Sequence, residues 1–169
     1  MTAERRKQII NILGKSVKPV KGGDLASLLK TSRQAIVQDI AILRAQGEDI
    51  IATPQGYYSS KLPNNIGETR VFACQHDHEG MKNELEIMVY YGGKVQDVIV
   101  EHPYYGELKG NLMLQTMEDI NNFIENINQS GAEPLSILTK GVHLHTVLAP
   151  SKVVLDKIEQ ELRKAGILL

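Results

Sequence analysis

The sequence predicts an α+β protein in two parts: an N-terminal winged helix-turn-helix domain followed by a C-terminal α/β sandwich domain with a mixed or antiparallel sheet. Three observations predict it. Three helical patterns and a hairpin signal fill the first third of the chain. Strand and helix patterns then alternate to the C-terminus. Between the two lies SSKLPNNIGE, residues 59–68, where Ser, Pro, Asn and Gly replace the periodic apolar residues. At 169 residues the chain has room for two small cores, and the expected domains are 1–62 and 66–169.

In the first part, RRKQIINILGKS repeats Ile9, Ile10, Ile12 and Leu13 at helical spacing. VKPVKGG interrupts it, and GDLASLLK follows as a short helix with Leu25, Leu28 and Leu29 on one face. TSRQAIVQDIAILRAQG opens on a Ser or Thr cap, carries Ile36, Ile40 and Leu43 as a stripe, and closes at Gly47. DIIATPQGYYSS then reads as two short strands around TPQG. This order is that of a winged helix, whose third helix enters the major groove.

In the second part, TRVFACQH reads as a strand and HEGMKNELEIMVYY as a helix ended by Gly92 and Gly93. KVQDVIVEHP and GELKGNLMLQT are strands joined by a turn at 103–106. MEDINNFIENINQS is a helix, KGVHLHTVLA a strand, SKVVLDKIEQELRKAG a helix, and ILL a short terminal strand. The order is β-α-β-β-α-β with one further helix and strand.

Composition excludes several classes. A charged fraction of 23% and an apolar fraction of 42% rule out a disordered chain. No apolar run approaches the roughly 20 residues of a membrane span, and the charged N-terminus lacks the pattern of a secretory signal. The single cysteine, Cys74, suits a reducing cytoplasm and reads as a core residue of the run RVFAC. Residues 1–62 carry ten Lys and Arg against five Asp and Glu (+5), whereas 63–169 carry nine against fifteen (-6), summing to -1. A basic first part next to an acidic second points to a polyanion as partner of the first.

The candidate DNA-reading residues are Ser32, Arg33, Gln34, Val37 and Gln38 on the third helix, because Arg pairs two donors with guanine and Gln pairs with adenine. Thr31 suits a phosphate oxygen at the helix start. Thr53, Gln55 and Tyr57 belong to the wing. Double-stranded DNA is the expected partner, and a three-helix scaffold whose polar surface touches nothing is the plain alternative.

His143 and His145 in GVHLHTVLAP share one face of a strand, about 7 Å apart along it. All five histidines lie in the second part: His76 and His78 at the end of its first strand, His102 at the end of the next. Glu84 and Glu86 follow in the first helix. Imidazole with carboxylate suits a divalent transition metal, zinc or nickel, better than calcium or magnesium. Solvent-facing histidines without any ligand are the plain alternative. No catalytic spacing such as HExxH occurs, so an enzyme is not expected; a metal-dependent enzyme fused to a DNA-binding module stays the less favoured alternative.

TSRQAIVQDIAILRAQG with DIIATPQGYY resembles the winged helix of biotin-repressor-type regulators. Joined to DVIVEHPYYGELKG and GVHLHTVLAP, it is similar to the niacin-responsive transcriptional repressors, whose second domain is called the three-histidine domain. The resemblance implies a cytoplasmic homodimeric repressor of NAD biosynthesis and niacin uptake genes, with nicotinic acid as co-repressor. It implies metal ligands His76, Glu84, His143 and His145, and His102 fits its EHP motif near the site. In this chain HDHEGMKNE also offers His78 or Glu86 as substitutes, and Tyr104 and Tyr105 flank the expected effector seat or serve as packing or dimer contacts. A metal-sensing repressor would share these features.

Overall fold

The computed structural model describes residues 2–60 and 66–169. The chain forms two compact units, Met1–Asn64 and Asn65–Leu169. The inter-domain linker expected at 59–68, and the boundaries expected at 62 and 66, fall largely on or beside residues outside that description.

In the first unit, α1 (Thr2–Lys15), α2 (Gly22–Leu28) and α3 (Arg33–Ala45) precede the hairpin β1 (Ile50–Thr53) and β2 (Gly56–Ser59). The apolar residues at three- and four-residue spacing meet in one core of Ile9, Leu13, Leu25, Ile36, Ile40, Leu43 and Ile50. Ser32 caps α3, its Oγ accepting from Ala35 N at 3.1 Å, and Gly47 takes φ +93° beyond the helix end. Two features lay outside the pattern reading. Asp39 is buried in α3, where Arg5 Nε reaches it at 2.5 Å and Arg6 Nη1 at 3.4 Å. Val20 pairs with Tyr57 by two backbone hydrogen bonds of 2.8 Å, which lays a third segment along β2. Gly56 is required there: at φ +128° an added Cβ would lie 2.4 Å from Val20 O.

In the second unit, β3 (Glu68–Gln75), α4 (Gly80–Tyr90), β4 (Lys94–His102), β5 (Gly106–Leu114), α5 (Met117–Ser130), β6 (Val142–Ala149) and α6 (Lys152–Lys164) follow in order. The sheet order is β3-β6-β4-β5 and every pairing is antiparallel, which decides between the two sheet types left open. Phe72, Leu85, Met88, Val95, Leu114, Ile120, Val147, Leu155, Ile158 and Leu162 form the core between sheet and helices. Thr116 and Asp119 close a capping box at the start of α5.

One expectation needs correction. The terminal ILL makes one bridge, Leu168 to Cys74, and no strand, because only three residues remain after the helix turns at Gly166. After α5 a 3-10 helix, Leu135–Thr139, packs on β4 and β6. Among the described residues no helix is long and apolar enough to cross a membrane.

Candidate metal centre and nucleic-acid interface

The period of two along β6 turns His143 and His145 to one face, and the β3–β6 register sets Cys74 opposite His143 and Phe72 opposite His145. His76 follows β3 directly. Asp77 Oδ1 accepts from Gly80 N at 3.0 Å and starts α4 beside it. Gly80 allows that approach, since an added Cβ would lie 2.7 Å from His76 Cβ. The helix begins at Gly80 rather than near His78, so Glu84 lies one turn in, not two. It is 1% exposed, and His143 and His145 are each 3% exposed.

Three imidazoles converge on that one carboxylate. His76 Nε2 lies 2.5 Å from Glu84 Oε2, His143 Nε2 2.9 Å from Oε1, and His145 Nε2 3.3 Å from Oε2. Neighbouring rings stand edge to face, with centroids 4.8 Å apart. Each Nδ1 meets a backbone carbonyl: His76 at Asp77 O (2.5 Å), His143 at Gly141 O (2.8 Å), His145 at Asp97 O (2.6 Å). A carbonyl only accepts, so each Nδ1 carries a proton and donates it. In the neutral rings every Nε2 therefore presents a lone pair to the carboxylate. Lone pairs against an anion repel, and only a proton on Nε2 or a cation between the groups reconciles them.

The electrostatics follow. Burial opposes ionisation of Glu84, but the charge of His145 and hydrogen bonds from His143, His145 and His76 outweigh it and hold the carboxyl far below its usual range. Burial likewise works against charge on His76 and His145, yet the Glu84 anion beside them raises both.

The structure thus brings together His76, Glu84, His143 and His145. The alternates stand apart: His78 is exposed, and Glu86 pairs with Lys82 Nζ at 3.7 Å. Two contributors were missed. Cys74 is fully buried, and a donor atom from each of Cys74, Glu84 and His143 lies within 4.8 Å of the others. The one available signal was that Cys74 precedes His76 by two residues and shares its face. Asp97 sits where the β4 register shifts, which turns its carbonyl to His145 while Oδ1 accepts from Thr146 N at 2.8 Å. No sequence pattern announces such a bulge.

His102, Tyr104 and Tyr105 form their own cluster at the β4–β5 turn. His102 Nδ1 accepts from the backbone N–H of Tyr104 (3.1 Å) and Tyr105 (3.3 Å). The two tyrosines are 90% and 76% exposed. A separate cavity of about 480 Å³ opens beside His76, with Ser136, Ile137, Lys140 and Gly141 in its wall.

In the first unit, Ser32, Arg33, Gln34, Val37 and Gln38 are all exposed along the start of α3, and Thr31 just before it is half-buried. The wing residues differ. Thr53 Oγ1 donates to Gly56 O and accepts from Gln55 N, which stiffens the tip. Gln55 Oε1 is buried with no hydrogen-bond partner among the described residues. Tyr57, behind the wing tip, is half-buried against the core, and its backbone is paired with Val20.

Comparison with known proteins supplies the context. A helix-turn-helix domain model matches residues 5–58 and a 3H domain model matches residues 69–169. The chain is 44% identical over 166 residues to the probable transcription repressor NiaR of Thermotoga maritima, covering 98% of this chain and 94% of that protein. It is 42% identical over 171 residues to the transcription repressor NadR of Bacillus subtilis, covering 100% of this chain and 95% of that protein.

Proposed function

We propose, from the premise that this chain belongs to the niacin-responsive transcriptional repressor family, that it is a cytoplasmic homodimeric repressor of NAD biosynthesis and niacin uptake genes, with nicotinic acid as co-repressor. It is a DNA-binding repressor of NAD-related genes, not an enzyme. In this reading it also holds a divalent transition metal, zinc or nickel, through His76, Glu84, His143 and His145. The observation that carries it is three Nε2 atoms aimed at one buried carboxylate while all three Nδ1 atoms donate to carbonyls. Such fixed tautomers are those a metal-binding imidazole needs.

Arg33, Gln34, Val37 and Gln38 read bases from α3, while Thr31, Ser32, Thr53 and Gln55 meet the backbone; Tyr57 holds the wing in place from behind. A homodimer presents two such helices to half-sites about 34 Å apart. A divalent cation held by His76, Glu84, His143 and His145 would supply positive charge for the carboxylate or ring nitrogen of a pyridine acid. His102, Tyr104 and Tyr105 provide aromatic surface for that ring. A second reading seats the acid in the cavity beside His76, where Lys140 is a cation for the carboxylate.

A ligand alters DNA affinity only by binding two states unequally. Fluorescence anisotropy on labelled operator, with metal saturating and nicotinic acid varied, tests the function: binding tightens as nicotinic acid rises. Unchanged affinity, with a response to metal alone, would make the protein a metal-sensing repressor. His102→Ala and Lys140→Ala, titrated separately, distinguish the two seats.

A further inference from the structure

We infer that Cys74 is a further donor of the metal centre, so that the site binds through sulfur as well as nitrogen and oxygen. This rests on the metal reading above. Alternation along β3 turns Phe72, Cys74 and then His76 to the face that β6 lines with His143 and His145. Cys74 therefore lies on the face of the cluster, beside Glu84 and His143. Its backbone is held on both sides, paired with His143 on β6 and bridged to Leu168.

Distance supports direct participation. Zinc–sulfur and zinc–nitrogen bonds of about 2.3 and 2.1 Å separate two donors on one ion by at most about 4.4 Å. The donor atoms of Cys74, Glu84 and His143 already lie within 4.8 Å of one another. A small rotation of the thiol or the carboxylate closes the remainder. As the sulfur–metal bond forms, the thiol proton leaves to solvent and the sulfur lone pair enters the coordination shell. A thiolate is a soft donor, so the centre favours zinc, cobalt or nickel over manganese and magnesium. The competing role for Cys74 is a buried core thiol that stays protonated and hydrogen-bonds to Glu84, burial and that anion both pushing it up, close to the metal but not bound to it.

Cobalt(II) separates the two. The full-length protein, stripped with a chelator and reloaded with cobalt(II), is expected to show d–d bands together with a near-ultraviolet thiolate-to-cobalt charge-transfer band. Cys74→Val, which keeps a small apolar side chain in the core, keeps the d–d bands and loses the charge-transfer band. Its cobalt affinity, read by competition with a chromophoric chelator, falls about ten-fold or more. Wild-type protein with d–d bands but no charge-transfer band overturns the role of Cys74 and leaves the metal reading standing. Absence of any d–d band in folded wild-type protein overturns both.

Discussion

Replacing Glu84 by glutamine keeps the volume and removes the charge at the point where all three imidazoles meet. The consequences for the metal-loaded and metal-free protein differ in size. In the metal-loaded protein the substitution removes the anionic ligand from a site where that carboxylate is 1% exposed and faces three Nε2 atoms at 2.5, 2.9 and 3.3 Å. Groups that only orient a ligand are worth about 10–100-fold in metal affinity, so a direct anionic donor is worth at least about 100-fold. With metal at about 100 times its Kd, binding stabilises the wild type by about 2.7 kcal/mol, and a 100-fold weaker site leaves about 0.4 kcal/mol. The loss of about 2.3 kcal/mol lowers the melting temperature of a unit this size by roughly 10 °C. In the metal-free protein the substitution removes the anion that favours protonated His76 and His145, so it costs stability there too, but less than in the metal-loaded protein because the glutamine amide still donates an N–H to an Nε2 lone pair. Differential scanning calorimetry of both proteins, with chelator and with added zinc, reads the four melting temperatures. The reasoning fails if Glu84→Gln lowers the melting temperature equally with chelator and with zinc, for then Glu84 is only a structural partner of the histidines.

Four other outcomes are expected. Asp39→Ala leaves Arg5 and Arg6 without their buried partner and destabilises the first unit by about 3 kcal/mol, measured by urea denaturation; a cost below about 0.5 kcal/mol would mean the ion pairs are incidental. Ser32→Ala removes the α3 cap and costs about 1 kcal/mol of stability, while Arg33→Ala leaves stability unchanged and lowers operator affinity by about 1–3 kcal/mol at one base pair. An Arg33→Ala loss uniform over all operator variants would assign that side chain to phosphate. Asp97→Ala frees Thr146 N and loosens the bulge that aims a carbonyl at His145, so metal affinity drops about ten-fold in chelator competition although no ligand is touched. Metal affinity also rises with pH: Glu84, working against burial, raises His76 and His145, so both rings hold protons to higher pH than free histidine and release them on metal binding. Calorimetric titrations in buffers of different ionisation enthalpy count those protons, and none released at mildly acidic pH would contradict the convergence on Glu84.

Much of this was legible in the chain itself, for reasons local to a few residues. The cores follow from spacings such as 9/13 and 36/40/43, because a helix buries one stripe regardless of what covers it. Ser32 and Gly47 mark the ends of α3 through their own backbone chemistry. His143 and His145 share a face because a strand has a period of two, so HLH alone placed both rings together. Other features depend on which distant segments come into contact, and no local pattern encodes that. The β3–β6 register carried Cys74 from an ordinary apolar run to a place opposite His143. A register shift in β4 brought the Asp97 carbonyl under His145, and the pairing of Val20 with Tyr57 laid the segment before α2 along β2. Residues a few positions apart declare their geometry through helix and strand periods; residues 59 or 48 positions apart, as Glu84 and Asp97 are from His143 and His145, meet only where tertiary packing sets them.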